Sequence, residues 1–159
     1  MDQYQKDIIA MNKFYLTKWN KATNDDLPLP AIEFNLTGFA AGQFVYQTLH
    51  NIIVSSKLRY NKYIYHTNNH GHFLTNTVPH EIAHYIAITV YGIKEGKGHN
   101  NCWKTVMSLL GAEAKKYHEY KCEAAWETLY KLDQLKRSLL KGELKNKKLV
   151  LPNKVLTKK

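Results

Sequence analysis

Pro79-His80-Glu81-Ile82-Ala83-His84-Tyr85 is the stretch that decides how this chain is read. On an α-helix His80 and His84 are about 6 Å apart along the axis, so both imidazoles leave one face. Two neutral imidazoles at that spacing can share one Zn²⁺. Glu81 follows the first of them, where its carboxylate can reach a water beside the metal without being a ligand. This is the HExxH arrangement of zinc-dependent peptidases. The competing reading is a pair of core histidines satisfied by ordinary hydrogen bonds. The surrounding residues favour the metal. The spacing predicts a helix over 78–91 that places His80, His84, Ala87 and Tyr91 on one face, and the rest of its circumference is mostly apolar (Ile82, Ala83, Ile86, Ile88, Val90). Such a helix is buried, and histidines and a glutamate inside it need partners, of which a metal is one.

The flanks predict how this helix starts and stops. Thr75 to Thr77 offer N-capping groups, Pro79 lies in the first turn where its missing N–H costs nothing, and Gly92 closes the helix as a left-handed cap. Catalytic zinc usually takes three protein ligands and one open position. His99 is the leading third ligand. It follows Gly96-Lys97-Gly98, which lets the backbone turn tightly, and precedes a helical pattern whose positive dipole end favours a neutral imidazole. Spacing alone does not choose it, and His70, His72, His118, Glu113 and Glu119 are rivals. His70-Gly71-His72 reads as a metal pair or, more simply, as part of an exposed loop over 60–76.

Upstream, residues 2–20 carry a broad apolar stripe (Ile8, Met11, Tyr15, Leu16, Trp19 among others) and predict a packing helix, followed by a loop with Pro28 and Pro30. Three short strands are expected at 32–36, 42–49 and 52–58, with His50-Asn51 as a turn. They read as a three-stranded antiparallel meander. Downstream, Cys102, Val106, Leu109 and Leu110 mark another helix, with Cys102 and Trp103 as core residues and Gly111 as its stop. His118 and Cys122 share an i,i+4 spacing, but two potential ligands do not make a site. Residues 122–140 read as an amphipathic helix with Ala125, Trp126, Leu129, Leu132, Leu135 and Leu139 on its apolar face, and the chain beyond Gly142 reads as flexible.

The 159 residues can bury a core without disulfide staples. Two cysteines are too few for a disulfide framework, the N-terminus does not resemble a signal peptide, and no apolar run reaches membrane-spanning length. The expectation is a cytoplasmic protein that is neither secreted nor membrane-embedded. Of the net charge of +10, residues 131–159 hold +8 (ten Lys or Arg less two acids), leaving +2 for residues 1–130. A basic tail points to an acidic partner, nucleic acid first; the plainer reading is a solvated, solubilising tail.

These residues resemble the SprT-like metallopeptidase family, which includes bacterial SprT proteins and the protease core of Spartan. The resemblance runs over roughly residues 35–120. It is carried by Thr77-Val78-Pro79-His80-Glu81-Ile82-Ala83-His84-Tyr85, Val90-Tyr91-Gly92, Gly98-His99, Trp103-Lys104 and Leu109-Leu110-Gly111-Ala112, with Ala41-Gly42 and Leu58-Arg59-Tyr60-Asn61 upstream. It implies an α+β fold of zincin-like type: an N-terminal helix, the small sheet, the HExxH helix and further C-terminal helices. It implies one Zn²⁺ per chain on His80, His84 and His99, with Glu81 as the catalytic carboxylate. It also implies a metallopeptidase domain over 1–121, followed by a basic segment over 122–159. Family members cut proteins bound or crosslinked to DNA, with DNA as activator, so the expected partners are a protein substrate and DNA. Two features depart from the pattern. Asn100 follows His99 where the family commonly has Gly, and Cys122 stands alone, so no zinc ribbon with paired cysteines can form. DNA contact therefore rests on charge, with Lys131, Lys136, Arg137 and Lys141 as its candidates. The alternatives are a non-catalytic, zinc-stabilised nucleic-acid adaptor and a protein-partner module built on the leucine face.

Overall fold

The structure is a computed structural model describing residues 1–65, 70–116, 120–121, 131–132, 134–139 and 157–158. Helix α1 spans Gln3–Thr23. Asp2 caps it by accepting from the Gln5 N–H (2.8 Å), while the Gln5 side chain accepts from the Asp2 N–H (3.2 Å). Ile8, Asn12, Tyr15, Leu16 and Trp19 form its buried face, and Phe14 falls outside that face and is exposed.

Strands β1 (Ala31–Glu33), β2 (Gly42–Leu49) and β3 (Ile52–Tyr60) make one sheet in the order β1-β3-β2. β2 and β3 are the expected hairpin, joined by His50 and Asn51 at φ 50° and 63°. Two positive φ values in a two-residue loop match the right-handed twist of the strands. The all-antiparallel meander is not what forms. β1 is shorter than expected, ends before Phe34, and pairs parallel with β3, Ile32 opposite Leu58. Residues 34–41 carry the chain past β3 to its far edge, pinned on the way by Leu36 N–H to Tyr60 O (3.3 Å). Alternation of apolar residues fixes which face of a strand is buried, not which edge it joins.

After β3 come two short helices, α2 (Lys62–Tyr65) and α3 (His70–His72), then a π-helical segment Phe73–Thr77 and α4 (Val78–Gly96). The expected exposed loop over 60–76 is thus partly helical. The expected cap at Thr75 to Thr77 is also absent, because the helix runs on from upstream. Thr75 Oγ1 donates back to Gly71 O (3.1 Å) and Asn76 Nδ2 to His72 O (3.0 Å). Pro79 explains the π segment. It has no N–H to give and its ring would strike the carbonyl four residues back, so the preceding turn widens and Val78 N–H bonds Phe73 O instead.

Gly92 has the positive φ expected of it (84°), but its ψ of 167° is not that of a left-handed cap. The helix breaks there and resumes to Gly96. Helix α5 (Asn101–Leu110) does end as expected, on Gly111 at φ 73°. α4 is the central element and packs on α1, α5, β2 and β3. Ile82, Ile86, Leu58, Tyr60, Trp103 and Leu110 are among the residues sealed in the core. Each such side chain contributes about 1.5–3 kcal/mol by leaving water, and this packing holds the backbone of α4 fixed.

A two-residue pairing joins β4 (Tyr120–Lys121) to β5 (Thr157–Lys158), so part of the segment expected to be flexible is a strand. Residues 131–132 and 134–139 are helical, with Leu132, Leu135 and Leu139 exposed. Ala125, Trp126, Leu129, Cys122 and Lys141 lie outside the described residues. Among the described residues no helix is long and apolar enough to cross a membrane.

Candidate metal centre

His80 and His84 leave the same face of α4, and their Nε2 atoms are 3.2 Å apart. His99 must return from nineteen residues beyond His80 to meet them, and a tight turn brings it back. A Cβ on Gly96 would lie 2.3 Å from the Ala87 carbonyl oxygen, so only glycine allows the returning chain to pack on the α4 backbone. Gly98 then turns the chain at φ 82°. Asn100 holds both sides of the turn. Its Nδ2 donates to Glu95 O (2.7 Å) and Lys97 O (3.2 Å), while its Oδ1 caps α5 by accepting from Cys102 N–H (3.1 Å) and Trp103 N–H (3.3 Å). The residue that departs from the family pattern therefore braces the histidine before it. An Asn ahead of a helical run is an N-cap signal, and that signal could have identified it.

The result is a triangle. His99 Nε2 is 3.2 Å from His84 Nε2 and 3.0 Å from His80 Nε2. A tetrahedral ion with Zn–N bonds of 2.0–2.1 Å separates its ligand nitrogens by about 3.3 Å, so the spacing fits a metal within a few tenths of an ångström. Hydrogen bonds cannot account for it, because a ring nitrogen is either donor or acceptor and three cannot satisfy one another around a triangle. His80 Nδ1 lies 3.2 Å from Lys115 O. Donation there leaves the Nε2 lone pair facing the other two rings, as an outer partner of a metal-bound histidine does. Trp103 backs the cluster, donating Nε1–H to His80 O (3.3 Å) with its ring centroid 4.7–5.6 Å from all three imidazoles. Burial, then the charge of His99, pushes His84 down to about 4; burial, then Lys116, lowers His99. Both are neutral at pH 7, the form a metal requires. The three histidines could hold one metal ion, and the set is compatible with zinc.

Glu81 is buried against β2. Its carboxyl is pushed up to about 8 by burial, opposed by a hydrogen bond from the Phe44 backbone. Positive charge among the imidazoles would draw it back down. A Cβ on Gly42 would lie 2.7 Å from Glu81 Cγ, so the strand can pass this close only as glycine. β2 is an edge strand. Asn61 N–H donates to Ala41 O (2.9 Å), and the antiparallel alternation then directs the backbone groups of Gly42, Phe44 and Tyr46 away from β3. They border a cleft of about 270 Å³ with Glu81, His84, Lys97 and Gly98 on its walls.

The SprT-like family model matches residues 12–124, which is most of the chain. The chain belongs to the SprT-like family. Among its relatives, a protein SprT from Vibrio parahaemolyticus is 33% identical over 101 residues, covering 63% of this chain and 55% of the relative. One from Pseudomonas aeruginosa is 33% identical over 104 residues (65% and 58%), and one from Proteus mirabilis is 28% identical over 106 (66% and 57%). The alignments span a little over half the length of these relatives. No solved structure gives a significant match. The SprT-like match starts at residue 12, so it takes in the second half of α1, upstream of the motifs that carry the resemblance.

The other candidates in this SprT-like chain lie apart from the triangle. His70 Nε2 pairs with Asp7 Oδ2 (3.1 Å), His72 Nδ1 with Asn76 Nδ2 (2.8 Å), and Glu113 with Lys115 Nζ (3.2 Å). Tyr85, next to His84, gives its hydroxyl to Pro28 O. Cys102 is half-buried rather than core, whereas Trp103 is fully buried. His118 and Glu119 lie outside the described residues. Lys131, Lys136 and Arg137 are exposed on the helical stretch.

Proposed function

We propose that this chain is a zinc-dependent endopeptidase acting on proteins associated with or crosslinked to DNA. The observation that carries the reading is the meeting of three imidazole Nε2 atoms beside a buried glutamate, at a cleft bordered by a strand edge that no other strand covers among the described residues. His80, His84 and His99 would hold one zinc ion, which would supply the Lewis acidity to acidify water and polarise a peptide carbonyl. Glu81 accepts the proton of the attacking water and returns it to the leaving amine. The backbone groups of Gly42 and Tyr46 and the Phe44 carbonyl align an extended substrate by strand addition, the Phe44 N–H being taken by Glu81. Residues 1–121 form the catalytic unit. Residues 122–159 form the basic segment, with Lys131, Lys136, Arg137 and Lys141 meeting DNA phosphates, and the setting is the cytoplasm at the nucleoid. The adaptor alternative is less well supported, because a closed structural zinc site has no use for a carboxylate at Glu81.

The test is zinc stoichiometry by native mass spectrometry, followed by protein cleavage with and without single-stranded DNA at low and moderate salt. One zinc per chain, weakened in His99→Ala, and cleavage lost in Glu81→Gln with zinc retained are the expected results. Metal-free protein after careful preparation removes the peptidase reading. Cleavage that ignores DNA under all conditions removes the DNA part alone.

A further inference from the structure

We infer that the cleft beside the three histidines selects a peptide segment carrying an acidic side chain, glutamate above all, and that Lys97 reads it. The inference rests on the peptidase reading, from which it takes an extended peptide as occupant. Phe44 and Tyr46 alternate along β2 and so share one face of the strand, their rings stacked at 5.6 Å and 30°. Ile88, one turn beyond His84, adds apolar surface from α4, and Lys97 faces them from the turn that delivers His99. At about 270 Å³ the cleft has room for a single long side chain.

Two ionisable groups besides His84 and Tyr46 line the cleft, Glu81 and Lys97. Glu81 is buried at its base, whereas Lys97 is exposed and has no ion-pair partner among the described residues. The wall is therefore apolar with a cationic rim. A glutamate matches both parts, its methylene stem lying along Phe44, Tyr46 and Ile88 and its carboxylate reaching the ammonium. Aspartate has too short a stem to span them, glutamine forgoes the charge, and lysine brings like charge to the rim. A peptide paired with the β2 edge presents alternate side chains to this side, so one position along it is read.

The probe is a set of labelled octapeptides of alanine, glycine and serine in which Glu, Gln or Lys is stepped through every position. Binding to the zinc-loaded Glu81→Gln protein is followed by fluorescence anisotropy. At one position the Glu peptide should bind about two- to fivefold more tightly than the Gln peptide, with Lys weaker still, the range of one exposed ion pair. High salt should compress it. Lys97→Glu should reverse the order of Glu and Lys, and Lys97→Ala should erase the contrast; both change an exposed side chain and leave the core alone. Equal binding of all three peptides at every position, or an order indifferent to Lys97, overturns the inference. If the preference appears but the zinc-loaded wild type cuts none of the peptides, the cleft inference stands and the peptidase reading fails. Cleavage with no preference has the reverse meaning.

Discussion

The candidate metal centre has two halves built by opposite means. His80 and His84 sit one turn apart in the buried first half of α4, residues 78–88, and their spacing is a property of the helix itself. His99 sits on a turn whose geometry depends on a close glycine contact, a left-handed glycine and the side-chain bonds of Asn100. The first half cannot move without unpacking the protein. The second is held by a few local interactions, so it is where metal affinity can be tuned or lost while the fold survives.

The sharpest break between chemistry and construction is Glu81→Gln. It keeps all three imidazoles, so zinc should remain bound while kcat/KM falls by about 10²–10⁴, the usual worth of a positioned proton acceptor. Steady-state kinetics with metal analysis checks this. Gly96→Ala attacks the turn alone. Its Cβ would meet the Ala87 carbonyl oxygen at 2.3 Å, so the turn must shift, and zinc affinity should drop about tenfold to a hundredfold. Competition with a chelating dye reads that loss, and an unchanged helical circular dichroism signal would show that α4 is intact. Asn100→Ala is milder. It removes an N-cap worth about 1 kcal/mol and loosens His99, so thermal unfolding should shift by a few degrees and zinc affinity by less than in Gly96→Ala.

Acidification sharpens the contrast in the metal-free protein. The folded pKa of His84 lies near 4, below its ordinary 6.5. The unfolded chain therefore binds the proton more readily. The stability tied to neutral His84 is complete above about pH 6.5 and is lost as pH falls toward 4. Glu81, held up at about 8, works in the opposite direction above its ordinary 4.5, so the His84 contribution is read by difference. The melting temperature of apo-protein should fall relative to that of His84→Asn, which cannot titrate there, as pH drops across that window, and acid should also release zinc from the loaded form. Chelation gives the smallest and most local effect: amide exchange should quicken over residues 95–100 and stay slow along residues 78–91.

How much was legible in advance follows the same division. The helix carrying His80, Glu81 and His84 was visible because periodicity, ligand spacing and burial all concern residues within one element. α1 and the β2–β3 hairpin were visible for the same reason. The parallel docking of β1 was not, since Ile32 pairs with Leu58 across a connection whose path no local pattern records. The π segment before Pro79 was missed because polar Thr75 and Asn76 look like caps, yet their side chains bond backward into a helix already under way. The approach of Gly42 to Glu81 joins a strand to a helix thirty-nine residues later and has no signature in either.

By itself the sequence determined the ligand types, the one-turn spacing of His80 and His84, the carboxylate between them and the basic character of the C-terminal segment, because each is a matter of residue identity and local geometry. Only the tertiary structure decided that His99, rather than His70, His72 or Glu113, closes the triangle, and that β2 presents its outer edge to Glu81. Those choices belong to contacts between distant elements, where packing and backbone close approach set the outcome, and a chain of residues does not display them until it is folded.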